Sequence, residues 1–198
     1  MDRPDIDPDP LRQIRVWLDA ARAAGEPLPH RMTLATASAD GTPSARMVIL
    51  RGIDGGLVFC TDRDSAKGVE LATNPRAAAV LHWLRPIQRQ VRATGDASEV
   101  GPEASERYWR SYAPDAQLAQ AASLQGSVIR DRAALERRVE ELRRQYPGGS
   151  NLPRPERWVG FRLVPDQVEL WEESPDRLHD RLRYRRHRDG WAIDRLSP

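Results

Sequence analysis

Four residues near the C-terminus, Trp171, Arg177, His179 and Arg181, carry side chains suited to one kind of chemistry. They lie in ELWEESPDRLHDRLRY, ahead of the ending WAIDRLSP. On an extended strand, residues i, i+2 and i+4 point to one face, so Arg177, His179 and Arg181 are expected to project together. A planar aromatic, two guanidiniums and an imidazole on one patch can hold a flat, electron-rich, anionic ligand. Guanidinium stacks on π faces and binds oxyanions bidentately. A solvated basic strand has the same spacing, so both readings stand at this point.

A second set of residues suits a phosphate. Arg46 sits in SARMVILR, otherwise apolar at Met47, Val48, Ile49 and Leu50. Lys67 follows Ser65 at an expected helix start, where unpaired N–H groups and the helix dipole favour an anion. Gln90 lies in a strand between Arg89 and Val91. Surface strands and helix starts also carry such residues for no ligand at all.

The elements that must position these groups read as α+β, mainly β. Residues 1–8 look like a loose arm ahead of a single unit, 9–198. Asp9 can cap a helix with Pro10 at its first position; Leu11, Ile14, Trp17, Leu18 and Ala21 recur at helical spacing, and Gly25 closes it. Strands are expected at 32–38, 44–51 and 57–61, punctuated by Asp40-Gly41 and Asp54-Gly55-Gly56. A short helix capped by Ser65 runs to Leu71, and strands follow at 77–84 and 88–97. Helices are expected at 102–112, near 117–122, and at 131–145. Closing strands are expected at 158–164, 167–172, 181–186 and 191–195. Short antiparallel strands this closely spaced predict a small barrel with helices outside.

Composition narrows the function classes. The 198 residues carry 31 basic and 29 acidic side chains, a net charge of +2, so there is no global polycation. The basic run RLRYRRHR at 181–188 could contact nucleic-acid phosphates, but the near-neutral total favours a solvated barrel rim. One cysteine, Cys60, excludes an internal disulfide framework and fits a reducing cytoplasm. No apolar run approaches the ~20 residues a membrane span needs. Cys60 reads as packing, His30, His82 and His187 show no ligand spacing, and no metal site is expected.

Taken in order, these pieces resemble the pyridoxine/pyridoxamine 5'-phosphate oxidase family of flavoproteins. The resemblance rests on DPLRQIRVWL, MTLATASADGTPSARMVIL, GLVFCTDRDSAKGVELATNPRAAAVLHW, RQV and VELWEESPDRLHDR with the terminal DRLSP. It implies a split β-barrel homodimer with FMN at the subunit interface. By position, the family's FMN contacts fall on Arg46, Met47, Val48, Ile49, Leu50 and Arg51, on Cys60, Thr61 and Lys67, and on Gln90, Gln125, Gly126, Trp171 and Arg181. Arg46 and Lys67 would hold the flavin phosphate. Ala66 and Gly126 depart from the family pattern, which often has arginine and serine there.

On the substrate side the resemblance implies Arg177 and His179 as the catalytic pair flanking a flat heteroaromatic ring. Arg177 would clamp that ring, and His179 would orient the reacting group or move a proton. Arg181 would stabilise the reduced flavin. The family's substrate-phosphate ligands fall on Arg51, Tyr108, Tyr112 and Ala116; the first two keep a cation and a phenol, the last two lose a cation and a hydroxyl. Arg110 or Arg130 could substitute from nearby. An expected acidic residue aligns with Leu28, and the arm offers only Arg3. The implied reaction is hydride transfer to FMN with O2 as acceptor, giving pyridoxal 5'-phosphate and hydrogen peroxide. The phenazine-biosynthesis flavin oxidases, relatives with an altered phosphate pocket, are the alternative, and LPRPE and DRLRY are shared with them. A non-catalytic flavin- or tetrapyrrole-binding split barrel is a rival of another class.

Overall fold

The computed structural model describes residues 6–149 and 151–198. Helix α1, Pro10–Ala23, starts where Asp9 Oδ1 accepts the Leu11 N–H at 2.9 Å, and buries Ile14, Trp17, Leu18 and Ala21 at the spacing of one helical stripe. It ends at Gly25, whose φ of +74° lets the Gly25 and Glu26 N–H groups bond back to Arg22 and Ala21. The chain then forms β1, Arg31–Ala37; β2, Pro43–Ile49; the short β3, Gly52–Ile53; and β4, Leu57–Asp62. Helix α2, Ala66–Thr73, precedes β5, Arg76–Trp83, and β6, Arg89–Glu99. Three helices follow: α3, Pro102–Arg110; α4, Pro114–Ala122; and α5, Arg132–Gln145. The chain closes with β7, Trp158–Glu172; β8, Asp180–His187; and β9, Gly190–Leu196.

The sheet is antiparallel in the order β2-β1-β5-β6-β7-β4-β3, with β8 on β7 and β9 on β8. One edge of β7 pairs with β6 along its length; the other is shared, first by β4 and then by β8. That handover splits the barrel. The expectation of two strands at 158–164 and 167–172 is corrected: β7 is continuous. The register slips where Thr94 faces Gln167 and Gly95 faces Pro165, leaving Asp166 as the extra residue of a bulge. A Cβ on Gly95 would lie 2.0 Å from the Val164 carbonyl oxygen, so the bulge closes only over a glycine.

The bulge changes which residues face inward. Before it Phe161 and Leu163 fill the core; after it Val168 and Leu170 do, and Glu169 and Trp171 turn to the other face. The main core joins these to Ile14, Trp17, Met32, Leu34 and Tyr184. A second cluster under α3 and α4 packs Trp109 edge-on against Trp158, centroids 5.1 Å apart. Of the expected loose arm, residues 1–5, Arg3 included, lie outside the described residues. Ile6 is in the core, and the Asp7 carbonyl accepts the Tyr184 hydroxyl at 2.9 Å.

Candidate active site

The residues expected at the cofactor and substrate gather in three places. The first is the end of β4. Lys67, 8 % exposed, donates from Nζ to Gln125 Oε1 at 2.9 Å and to Thr61 Oγ1 and Ser65 Oγ at 3.2 Å. Gln125 Oε1 also accepts the Thr61 hydroxyl at 2.7 Å. Burial and then Arg46 hold the Lys67 ammonium below its ordinary pKa. Gly68 makes this possible: a Cβ there would lie 2.2 Å from the Arg63 carbonyl oxygen, so only glycine lets α2 sit this close to the preceding turn. Ser65 occupies the N-cap position, yet its hydroxyl bonds back to the Asp62 carbonyl rather than capping the helix. Arg46 reaches the same corner from β2, where it pairs with Glu70 at 3.1 Å and donates to Thr36 and Ser44.

Around Arg46 the expected contact run divides between faces. Arg46 and Val48 lie on the inner face of the edge strand β2, and Leu50 is buried just beyond it. Met47 and Ile49 are outward, 58 % and 43 % exposed. Gly126 adopts φ +88° in an exposed loop, where an added Cβ would meet nothing within 4 Å.

The second place is the far end of β7. Gln90, Trp171 and Arg181 are direct partners across β6, β7 and β8, so all three project from one face in a single row. Arg181 donates to Glu169 Oε1 at 2.8 and 3.0 Å and to the Ser197 carbonyl at 3.0 Å. His179 packs on Trp171 with ring centroids 4.8 Å apart, and its Nδ1 accepts the Ser174 N–H at 3.2 Å. The expectation that Arg177, His179 and Arg181 share a strand face is corrected here. Residues 174–177 form a turn closed by the Arg177 N–H on the Ser174 carbonyl, Arg177 has φ +65°, and β8 begins only at Asp180. Ser-Pro-Asp is turn chemistry, with Asp176 Oδ1 accepting the Leu178 N–H at 2.9 Å. His179 still reaches the row, through Trp171 rather than through strand alternation.

The third place is the outer side of β4, beneath α3. The Arg51 guanidinium lies over the Tyr112 ring, 3.6 Å from its centroid, and donates Nε–H to the Tyr112 hydroxyl at 2.8 Å. Tyr112 is held from behind by Trp158, edge-on at 5.3 Å. Cys60 sits below, its thiol pushed up to about 12 by burial. Tyr108 packs its hydroxyl onto Gly52, where a Cβ would lie 3.1 Å away. Arg110 and Arg130 do not reach this corner; they pair with Glu106 at 2.9 Å and Asp131 at 2.8 Å.

Two carboxylates escaped sequence reasoning, Glu70 at Arg46 and Glu169 at Arg181. Glu169 had a signal: it stands two residues before Trp171, on the same strand face. The basic run at the C-terminus is largely consumed internally. Arg183 and Arg185 bond Asp194, and Arg186 bonds the Pro165 carbonyl. Among the described residues, no helix is long and apolar enough to cross a membrane.

Residues 18–146 match the pyridoxamine 5'-phosphate oxidase family, and residues 158–198 match the pyridoxine 5'-phosphate oxidase C-terminal dimerisation region. The pyridoxine/pyridoxamine 5'-phosphate oxidase of Paraburkholderia phymatum is 46 % identical over 200 residues, covering 100 % of this chain and 93 % of that protein. That of Cupriavidus metallidurans is 44 % identical over 196 residues, covering 98 % and 91 %. Among solved structures, PhzG from Burkholderia lata 383, in complex with tetrahydrophenazine-1-carboxylic acid, superposes with a TM-score of 0.92 at 35 % identity, covering 98 % of this chain and 95 % of that one. A pyridoxamine 5'-phosphate oxidase-related, FMN-binding protein of Nostoc punctiforme shares the fold, with a TM-score of 0.76 at 22 % identity and coverage of 93 % and 95 %. With both halves of the split barrel matched, the chain belongs to the pyridoxine/pyridoxamine 5'-phosphate oxidase family, whose members are FMN-dependent oxidoreductases.

Proposed function

We propose that this protein is an FMN-dependent oxidase that removes hydride from a flat, anionic heteroaromatic substrate, with O2 as the final acceptor and H2O2 as product. The observation that carries the reading is the row Gln90–Trp171–Arg181 with His179 packed on Trp171, a polar and aromatic platform on one sheet face. The Lys67 corner fits the cofactor's phosphate. Gln125 Oε1 already accepts from Thr61 and Lys67, so an acceptor oxygen belongs at that point, and the helix start adds its dipole.

The two half-sites lie at opposite ends of β7. Thr61 pairs with Val159 and Gln90 with Trp171, twelve residues on (171 − 159), about 40 Å of strand at ~3.3 Å per residue. A second copy of the chain would bring the far end of its β7 to the Lys67 corner of the first, placing FMN between subunits. The exposed apolar side chains of Met47, Ile49, Val128 and Ile129 supply a surface for such a homodimer. The C-terminal match to a dimerisation region supports it.

FMN, when bound, supplies the two-electron acceptor. The chain's own groups orient the substrate. Arg177, exposed on its turn, would close over the substrate ring. With His179 Nδ1 accepting a backbone N–H, the neutral imidazole carries its proton on Nε2, so it would serve as a hydrogen-bond donor to the reacting amine or alcohol.

Two substrates meet this description. Pyridoxamine or pyridoxine 5'-phosphate, giving pyridoxal 5'-phosphate, is supported by identity to relatives along the whole chain. A dihydrophenazine-like carboxylate is favoured by one observation, the stacking of Arg51 on Tyr112 where a second cation is expected. Anaerobic bleaching of the flavin by each substrate tests both. If neither bleaches it, or if Arg177→Ala and His179→Ala leave turnover unchanged, the oxidase reading is wrong.

A further inference from the structure

We propose that Tyr112 is a specificity-determining residue: stacked under Arg51, it presents the guanidinium as a fork for a planar carboxylate and makes this corner a poor site for a phosphate. The inference rests on the oxidase reading for the identity of the reaction, but its geometry stands independently.

Tyr112 takes one face of the Arg51 guanidinium and its Nε–H. What remains is the Nη1/Nη2 edge, and no other described residue accepts from it in this structure. Two parallel N–H donors in one plane match the two oxygens of a carboxylate. Phosphate presents three oxygens in three directions and at neutral pH carries up to two charges, and the fork can meet only two of those oxygens. Position 116 is alanine and offers no hydroxyl, and Tyr108 has its hydroxyl against Gly52; burial and then Asp54 hold that phenol above its ordinary pKa, so it stays a neutral donor and adds no charge to the corner.

Most neighbouring cations are already committed. A cavity of about 260 Å³ beside Arg51 is lined also by Arg15, Asp19, Arg22 and His30. Arg22 pairs with Asp19 at 3.0 Å and touches His30; Arg15 donates to the Ile53 carbonyl; and Asp54 is taken by Arg162 at 2.8 Å. His30 is held below its ordinary pKa by burial and then by Arg22 and Arg51, so it adds little charge at neutral pH. On the other side, a cavity of about 330 Å³ opens between Leu28, His30, Ile49 and Arg51, with the exposed Arg31 at its rim. Leu28 and Ile49 give it apolar walls. A flat ring bearing a carboxylate meets the chemistry of both.

The test uses the FMN-loaded protein and a matched pair of probes, benzoate and phenyl phosphate, which share a ring and differ in the anion. Calorimetry reads binding directly, and the flavin absorbance reports cofactor occupancy separately. Benzoate is expected to bind at least tenfold more tightly than phenyl phosphate. Tyr112→Leu should erase that preference with FMN content unchanged, whereas Tyr112→Phe, which keeps the ring, should retain most of it. The double variant Tyr112→Arg with Ala116→Ser should reverse it. Equal or tighter phenyl phosphate binding by the unaltered protein, or a preference that survives Tyr112→Leu, overturns the proposal. If FMN fails to bind at all, the oxidase reading falls, but calorimetry on the flavin-free protein still decides the carboxylate preference.

Discussion

Two cationic corners of this barrel, one around Arg46 and Lys67 and the other around Arg51 above Cys60, solve the problem of holding an anion in opposite ways. At Lys67 the charge is buried, its pKa lowered, and every donor already has an oxygen in place. At Arg51 the charge is propped on an aromatic ring with its outer edge open. The first corner resembles a socket kept filled by Gln125; the second is a fork waiting for a flat partner. Burial suits an anion that stays, such as a cofactor phosphate, while an open fork suits one that must leave after each turnover.

The widest separation between the corners should appear in thiol chemistry. Cys60 lies on the floor of the Arg51 corner, and its thiol is raised from 9.0 to about 12 by burial. Its thiolate population below pH 9 is therefore about a thousandfold less than that of an ordinary thiol. Modification by a disulfide reagent at pH 8 should be correspondingly slow in the folded protein and fast in denaturant; rapid labelling of the native protein would show that the floor is open.

Removing the buried ammonium comes next. Lys67→Met should weaken FMN binding about 10- to 100-fold, given ~1.5–3 kcal/mol for a hydrogen bond to a charged group. Fluorescence titration of flavin measures this, with circular dichroism confirming the fold. An unchanged affinity would remove Lys67 from the phosphate site.

A pH series separates the corners without mutation. Because Lys67 has its pKa depressed from 10.5 in the folded state, the native protein releases that proton before the unfolded chain does. The flavin-free protein therefore gains stability as pH rises from the folded pKa toward 10.5. FMN affinity moves the other way, falling by up to about tenfold per pH unit as the ammonium is lost. A guanidinium keeps its charge throughout this range, so benzoate binding at Arg51 should stay flat. Parallel pH profiles for the two ligands would erase the distinction.

The smallest effect concerns Glu70, whose carboxylate faces Arg46 beside the proposed phosphate site. Glu70→Gln keeps a hydrogen-bond acceptor and removes a negative charge, so FMN should bind a few-fold more tightly, on the order of 1 kcal/mol or less for a partly exposed pair. Weaker binding would mean that Glu70 serves chiefly to aim Arg46.

Much of this was legible along the chain. The stripe of α1 and its Asp9 cap follow from local periodicity, as does the order of strands. Pro165 lacks an N–H and so reads as a break between 164 and 167, yet at a bulge that N–H is not needed and the strand runs through. Strand alternation does not carry back past Asp180 to Arg177 and His179, because Ser174-Pro175-Asp176 spells a turn. The decisive contacts were out of reach for a different reason. Gln125 meets Lys67 across 58 residues, and Tyr112 meets Arg51 across 61. Such pairs are made by tertiary packing, and residue type alone marked Tyr112 as an oddity without giving its partner.

The bulge at Asp166 has a meaning for how relatives of this chain should be compared. Its side chain is half-buried at the sheet's surface, where it accepts from Arg76 at 2.5 Å. What the strand requires at that point is one additional residue, because parity decides whether Trp171 faces outward or into the core. The position thus encodes a number rather than an amino acid. Two sequences that differ there by substitution present the same surface; two that differ by a gap present opposite ones, however alike they are elsewhere.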